Sequence, residues 1–352
     1  MTRATPVTDV HAHYIPADAV ALMSTGLVPV ALHEDNGVPG CIGLHGMRVG
    51  ATIDALSNVD AMLAAMDAAD VAVRVISPPP FTYRYWGEPA DTLALHRRLN
   101  EATGDVVARH PDRFAGLATV PLQEPGAAAA ELDRALGELG LAGLTVGTNV
   151  AGGNLSDAGP STVLAALAEH GAPLLVHPDF VPTERISAHY LVNLLGMPHE
   201  SAIALANLLL SGRLDELTGL RACFVHGGGT LPYLLGRLDK GWAVRPETRS
   251  ATAVPPSEGL SRVWFDSLTH SPRALRYLID VVGADHVVVG SDSPFDVEEA
   301  HPLRRLRECP ALTAQEENTI VHTAAVAWLH GPGADPTTTA TTTPRRDRSN
   351  TR

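Results

Sequence analysis

Residues 161–180 read STVLAALAEHGAPLLVHPDF, and this stretch decides the fold. Its first half carries apolar residues at helical spacing and stops at Gly171, the residue type that most readily ends a helix. Its second half is an apolar run, PLLV, closed by His177. A run without polar alternation suits a strand buried on both faces, as parallel strands are.

The same rhythm recurs in both directions. Strand-like runs occur at VTDVHA (7–12), VAVRVIS (71–77), FAGLATVPL (114–122), GLTVG (143–147), ACFVHGG (222–228), RVWFDS (262–267) and HVVVGSD (286–292). Helix-like stretches stand between them: NVDAMLAAMDAAD, DTLALHRRLNEATGDVVARHPDR and GAAAAELDRALGELG precede the second, third and fourth runs. Strand–helix alternation implies a parallel sheet, and eight such units in one domain-sized chain imply a closed (β/α)8 TIM barrel of the α/β class. Two stretches break the rhythm and are read as loop insertions after strands 1 and 5. Residues 22–50 are rich in Gly, Pro and His. Residues 179–221 include an apolar helix, SAIALANLLLSG. We expect the barrel to occupy residues 1–330. Residues 331–352, GPGADPTTTATTTPRRDRSNTR, read as a disordered tail because they lack a hydrophobic face.

Composition narrows the function. A formal net charge of -13 disfavours a phosphate-backbone partner, so no nucleic acid is expected. No apolar run reaches the length of a membrane span, and no apolar stretch precedes the first histidines, which predicts a cytoplasmic protein without a secretory signal. The 3 cysteines form no CxxC pair, so thiolate metal sites and a disulfide framework are not expected.

Chemistry concentrates at strand ends. His11 and His13 in DVHAH lie two apart on one strand and therefore share a face. His177 closes the fifth run, His226 the sixth and Asp292 the eighth. Each alone reads equally well as a packed or turn residue. Together they place metal-capable side chains on one rim of one barrel, where barrel enzymes build their sites. Imidazole plus carboxylate without thiolate suits one divalent ion, zinc first, with manganese and iron also compatible. Lys240 is the single lysine, and the fourth run has none, so a carboxylated lysine bridging two metals is excluded at that strand end.

DVHAH, HPDF, HGGG with the following LLGR, WFDS and GSDSPF resemble the amidohydrolase-2 branch of the amidohydrolase superfamily, in particular its family of metal-dependent decarboxylases that includes 2-amino-3-carboxymuconate 6-semialdehyde, γ-resorcylate and 5-carboxyvanillate decarboxylases. The resemblance runs from about Val7 to Leu329 with the motifs in order. It implies metal ligation by His11, His13, His177 and Asp292, with His226 beside the metal-bound water as acid and base. It also implies a substrate carboxylate held by Arg48, a substrate contact from Phe295, and Arg237 reaching a neighbouring subunit's site in a homodimer. Ser293 replaces the family's aromatic residue, and HPDF replaces HPWD-like sequences, so the substrate is expected to differ. Asp266 reads either as a partner orienting His226 or as a turn residue.

The expected activity is nonoxidative decarboxylation of an unsaturated or aromatic carboxylic acid, with His226 moving the proton. The alternative on the same site is hydrolysis of a lactone or amide, or hydration of a double bond. Trp86, His189 and Tyr190 are candidate pocket residues, and His33 and His45 read as solvated loop residues.

Overall fold

A computed structural model describes residues 6–19, 30–35, 38–44, 47–179 and 184–335. Eight parallel strands follow one another in chain order: β1 (Val7–His13), β2 (Val71–Ser77), β3 (Phe114–Ala118), β4 (Gly143–Val146), β5 (Pro173–Val176), β6 (Arg221–Phe224), β7 (Val263–Asp266) and β8 (Val287–Val288). The ends of the sheet meet. Val10 N donates to Val289 O at 2.8 Å and His13 N donates to Ser293 O at 2.8 Å. Strands β3, β4, β6, β7 and β8 are shorter than the apolar runs that predict them, because pairing stops where the chain bends into the site.

Helices α1 (Val59–Ala68), α2 (Pro89–Arg109), α3 (Pro125–Gly137), α4 (Ala158–His170), α5 (Met197–Leu210), α6 (Leu231–Val244) and α7 (Pro272–Val282) link successive strands. α8 (Ala324–His330) ends the described fold. Proline opens α2, α3 and α7, where its missing N–H leaves no partner wanting. Gly171 ends α4 at φ 60°, the left-handed conformation anticipated from its position.

Alternate residues of β5–β8 divide between two cores. Leu174, Val176, Phe224, Phe265 and Val287 pack among the helices. Leu175, Cys223, Trp264 and Val288 pack with Trp328 of α8. Arg221, at the start of β6, donates from Nε to Trp328 O at 2.6 Å, so α8 is fastened near the N-terminal ends of the strands. Continuing the period of two from the inner set leads to His177, Asp266 and Asp292 at the opposite end.

The segment between β1 and α1 holds a three-stranded antiparallel sheet, Val30–Asp35, Val38–Leu44 and Met47–Thr52, rather than an irregular loop. His45 and the tail beyond residue 335 lie outside the described residues, as does the side chain of His33. Among the described residues, no helix is long and apolar enough to cross a membrane.

Candidate metal centre

Four imidazoles converge on the carboxylate of Asp292. His13 Nε2 lies 3.0 Å and His11 Nε2 3.2 Å from its Oδ1. His177 Nε2 stands 3.9 Å from Oδ1, and His226 Nε2 stands 3.6 Å from Oδ2. His11, His13, His177 and Asp292 are all buried. The joint placement expected from the strand ends is therefore what the barrel produces.

Local backbone explains how the two turns are made. Asp292 adopts φ 61°, with its N–H bonded to His11 O at 2.8 Å, so β8 turns its carboxylate back over the end of β1. His226 has φ 57°, and Gly227, Gly228 and Gly229 follow at 60°, 72° and 64°. Four left-handed residues in succession swing the His226 ring off the strand axis, and only glycine takes this path without steric penalty. Positive φ at a non-glycine residue is stored strain, here at both His226 and Asp292.

The ring nitrogens are arranged to receive a cation. His11 Nδ1 faces Asp266 Oδ2 at 2.7 Å, and His177 Nδ1 faces Pro178 O at 2.8 Å. Each outer nitrogen then carries the proton, which leaves the Nε2 lone pair directed inward. Those inner nitrogens, His11 Nε2 and His177 Nε2, are buried without a hydrogen-bond partner. Donor atoms of His11, His177, His226 and Asp292 lie within 4.8 Å of one another. Unpartnered buried nitrogens around a carboxylate are unfavourable unless a cation or its ligands engage them, so these residues fit one divalent ion.

Without the charge of a bound ion, the electrostatics are those of an ion pair between His11 and Asp292. Burial opposes charge on His11, but the Asp292 carboxylate and the bond to Asp266 outweigh it and push the ring up to about 10. Burial pushes His177 down to about 3 and also lowers His13. Burial alone would raise Asp292, yet the imidazoles, His11 foremost, hold it well below the usual carboxylate range. Asp292 is thus an obligate carboxylate, with His13 and His177 held neutral by burial and His11 charged against the carboxylates.

Of the two readings of Asp266, the turn residue holds and the partner of the His226 ring does not. Its Oδ2 binds His11 and its Oδ1 accepts from Gly227 N at 2.8 Å and Leu268 N at 3.2 Å. It therefore orients His11 directly and touches the His226 turn only through the backbone. Sequence reading also missed a buried network beneath the centre. Arg74 Nε donates to Asp9 Oδ2 at 3.0 Å, Ser291 Oγ donates to the same oxygen at 2.6 Å, and Arg74 Nη1 donates to Ser293 Oγ at 3.3 Å. An arginine inside VAVRVIS and an aspartate two before His11 were the available signals.

A cavity of about 1000 Å³ opens beside the centre, with His177, His226 and Asp292 on its inner wall. Arg48, Tyr190, Phe81 and Phe295 line it, and the Phe295 ring packs on His13 at 5.0 Å between centroids. Arg237 and Lys240 are exposed on α6 and Trp86 is exposed on a loop, and none of the three is among the lining residues. His189 is exposed beside Tyr190.

The amidohydrolase family model matches residues 8–330. The chain belongs to the amidohydrolase family. Within it, the chain is similar to the 2-amino-3-carboxymuconate-6-semialdehyde decarboxylase of Dictyostelium discoideum, 32% identical over 279 residues that cover 79% of this chain and 77% of that one. The Caenorhabditis elegans enzyme of the same name is 27% identical over 376 residues, covering 91% and 93%. The fold is also that of 5-carboxyvanillate decarboxylase from Novosphingobium aromaticivorans, at TM-score 0.77 and 21% identity over 93% of this chain and 97% of that one. That structure was solved with manganese and 4-hydroxy-3-methoxy-5-nitrobenzoic acid.

Proposed function

We propose that this amidohydrolase is a metal-dependent carboxy-lyase that removes CO2, without oxidation, from an aromatic or unsaturated carboxylic acid. The observation that carries this reading is the convergence of inward-facing imidazoles on Asp292 beside a cavity walled by a guanidinium and aromatic rings, in a chain whose relatives are named decarboxylases.

His11, His13, His177 and Asp292 would hold one divalent ion. Their nitrogen and carboxylate donors suit zinc, and the manganese of the 5-carboxyvanillate decarboxylase makes that ion the alternative to test. The bound ion supplies positive charge that steadies negative charge developing on the substrate. In the reaction the bond from ring or alkene carbon to the carboxyl carbon breaks, its electron pair stays on the substrate carbon, and that carbon takes a proton. His226 stands at the cavity wall, partly exposed and outside the Asp266 bond, which suits it to deliver that proton. Arg48 would pair with a substrate carboxylate and Phe295 would pack against the conjugated system.

The catalytic unit is the barrel of residues 1–330, and a homodimer is the assembly the resemblance implies. Tyr233, 83% exposed, lies one turn before the exposed Arg237 on α6 and also reaches the cavity mouth, which gives a second copy an aromatic contact beside Arg237.

The test is a screen of carboxylated dienes and phenolic acids with metal-loaded protein and mass-resolved products. Loss of CO2 is expected. Gain of water by any of these substrates would replace the decarboxylase with a hydrolase or hydratase.

A further inference from the structure

The two segments that interrupt the barrel rhythm both line the cavity, and Arg48 and Tyr190 are among the side chains they bring to it. Arg48 comes from the strand Met47–Thr52, after β1, and Tyr190 comes from the segment after β5. The backbone aims Tyr190 at some steric cost. His189 and Tyr190 both adopt positive φ, 59° and 58°, a pairing that non-glycine residues hold only where the surroundings impose it. Here the next turns impose it. Asn193 N and Leu194 N each donate to Tyr190 O at 3.1 Å, so Tyr190 anchors the turns that run into α5.

Asp296 ties the other wall. Its N–H donates to Gly50 O at 2.7 Å, and a Cβ placed on Gly50 would lie 1.9 Å from Asp296 Oδ1. The strand bearing Arg48 is thereby fastened to the turn bearing Asp292 and Phe295. The Tyr190 hydroxyl is within electrostatic reach of Asp296, Asp292 and Arg48, and burial together with the carboxylates pushes it up to about 12. A phenol of that kind remains protonated at neutral pH. Lining the same cavity as the Arg48 guanidinium, it can donate or accept a hydrogen bond, and its donated bond would strengthen toward an anion.

We propose that Tyr190 is a specificity-determining residue, donating its hydroxyl hydrogen bond to the same substrate anion that Arg48 pairs with, a carboxylate other than the one lost. The two interruptions of the barrel thus form one two-point clamp, and the enzyme selects acids that carry a second anionic group. This rests on the decarboxylase reading for the identity of the leaving carboxylate, whereas the clamp itself is read out by binding.

The test measures benzoate and isophthalate binding by calorimetry to metal-loaded wild type, Tyr190→Phe, Arg48→Gln and the double variant. Wild type is expected to prefer isophthalate. Tyr190→Phe should lose about tenfold in isophthalate affinity with benzoate affinity and metal content unchanged, the scale of one hydrogen bond to a charged group. The double variant should lose less than the product of the single losses, because both side chains act on one anion. Equal weakening of both ligands by Tyr190→Phe, no effect on either, or no wild-type preference overturns the proposal. A persistent isophthalate preference in a protein that releases no CO2 from any acid would support the clamp while removing the decarboxylase reading.

Discussion

Asp266, at the end of β7, holds the ring of His11, at the end of β1: Oδ2 lies 2.7 Å from Nδ1, and both residues are fully buried. The contact spans 255 residues of sequence and fixes which nitrogen of His11 faces the centre. Burial alone would raise the Asp266 carboxyl, but the bond and charge of His11 bring it below its ordinary value. It stays an acceptor, as the partner of a metal-bound imidazole must.

Asp266→Asn should therefore weaken metal binding by about 10- to 100-fold while leaving the fold intact. Competition against a chelator, with circular dichroism as the control for folding, measures it. Retention of wild-type affinity would remove Asp266 from the centre.

His226 and His177 should separate in their variants. His226→Gln is expected to keep its metal and lose about 10²- to 10⁴-fold in kcat, the usual share of a general acid or base. His177→Gln should lose metal first. Elemental analysis alongside turnover distinguishes them. Metal loss in His226→Gln would make His226 a ligand, a role its 3.6 Å approach to Asp292 also permits.

The HGGG turn should resist any side chain. A Cβ on Gly229 would lie 1.7 Å from Pro198 O, a backbone atom that cannot swing away, and φ there is +64°. Gly229→Ala should destabilise the fold by more than about 1 kcal/mol, beyond the ordinary penalty for alanine at positive φ. It should also lower kcat by moving His226. An unchanged Tm would show that α5 yields at no cost.

Acid stability should reveal His96, which lies in α2 and is not among the residues lining the cavity. Burial pushes its ring down to about 4 from 6.5, while Nε2 faces Thr82 O at 3.0 Å. The folded state therefore holds the neutral ring where the unfolded chain binds a proton. Its contribution is complete above pH 6.5, declines as pH falls through that value, and is gone near pH 4, amounting to at most roughly 3 kcal/mol. His96→Gln should flatten the dependence of Tm on pH across that window relative to wild type. Parallel curves for the two proteins would exclude His96 as the source.

Much of the barrel was legible because strand and helix periods are local properties. All eight apolar runs became strands, and the polar residues that close them stand together around Asp292. The antiparallel sheet after β1 escaped because its strands, VALHED, VPGCIGL and MRVGAT, carry no long apolar run. The dipeptides Asn36-Gly37 and His45-Gly46, set between those strands, were the hairpin signals that could have found it.

The sequence by itself determined the order of strands, the inward period of two, and which strand ends carry imidazole or carboxylate. It did so because the apolar pattern states which face of each element leaves water. Only the tertiary structure decided that Asp266 serves His11, that Arg74 pairs with Asp9 beneath the centre, and that Tyr190 and Arg48 line one cavity. A buried polar group takes its partner from whichever strand closure brings alongside, and no local pattern records that neighbour.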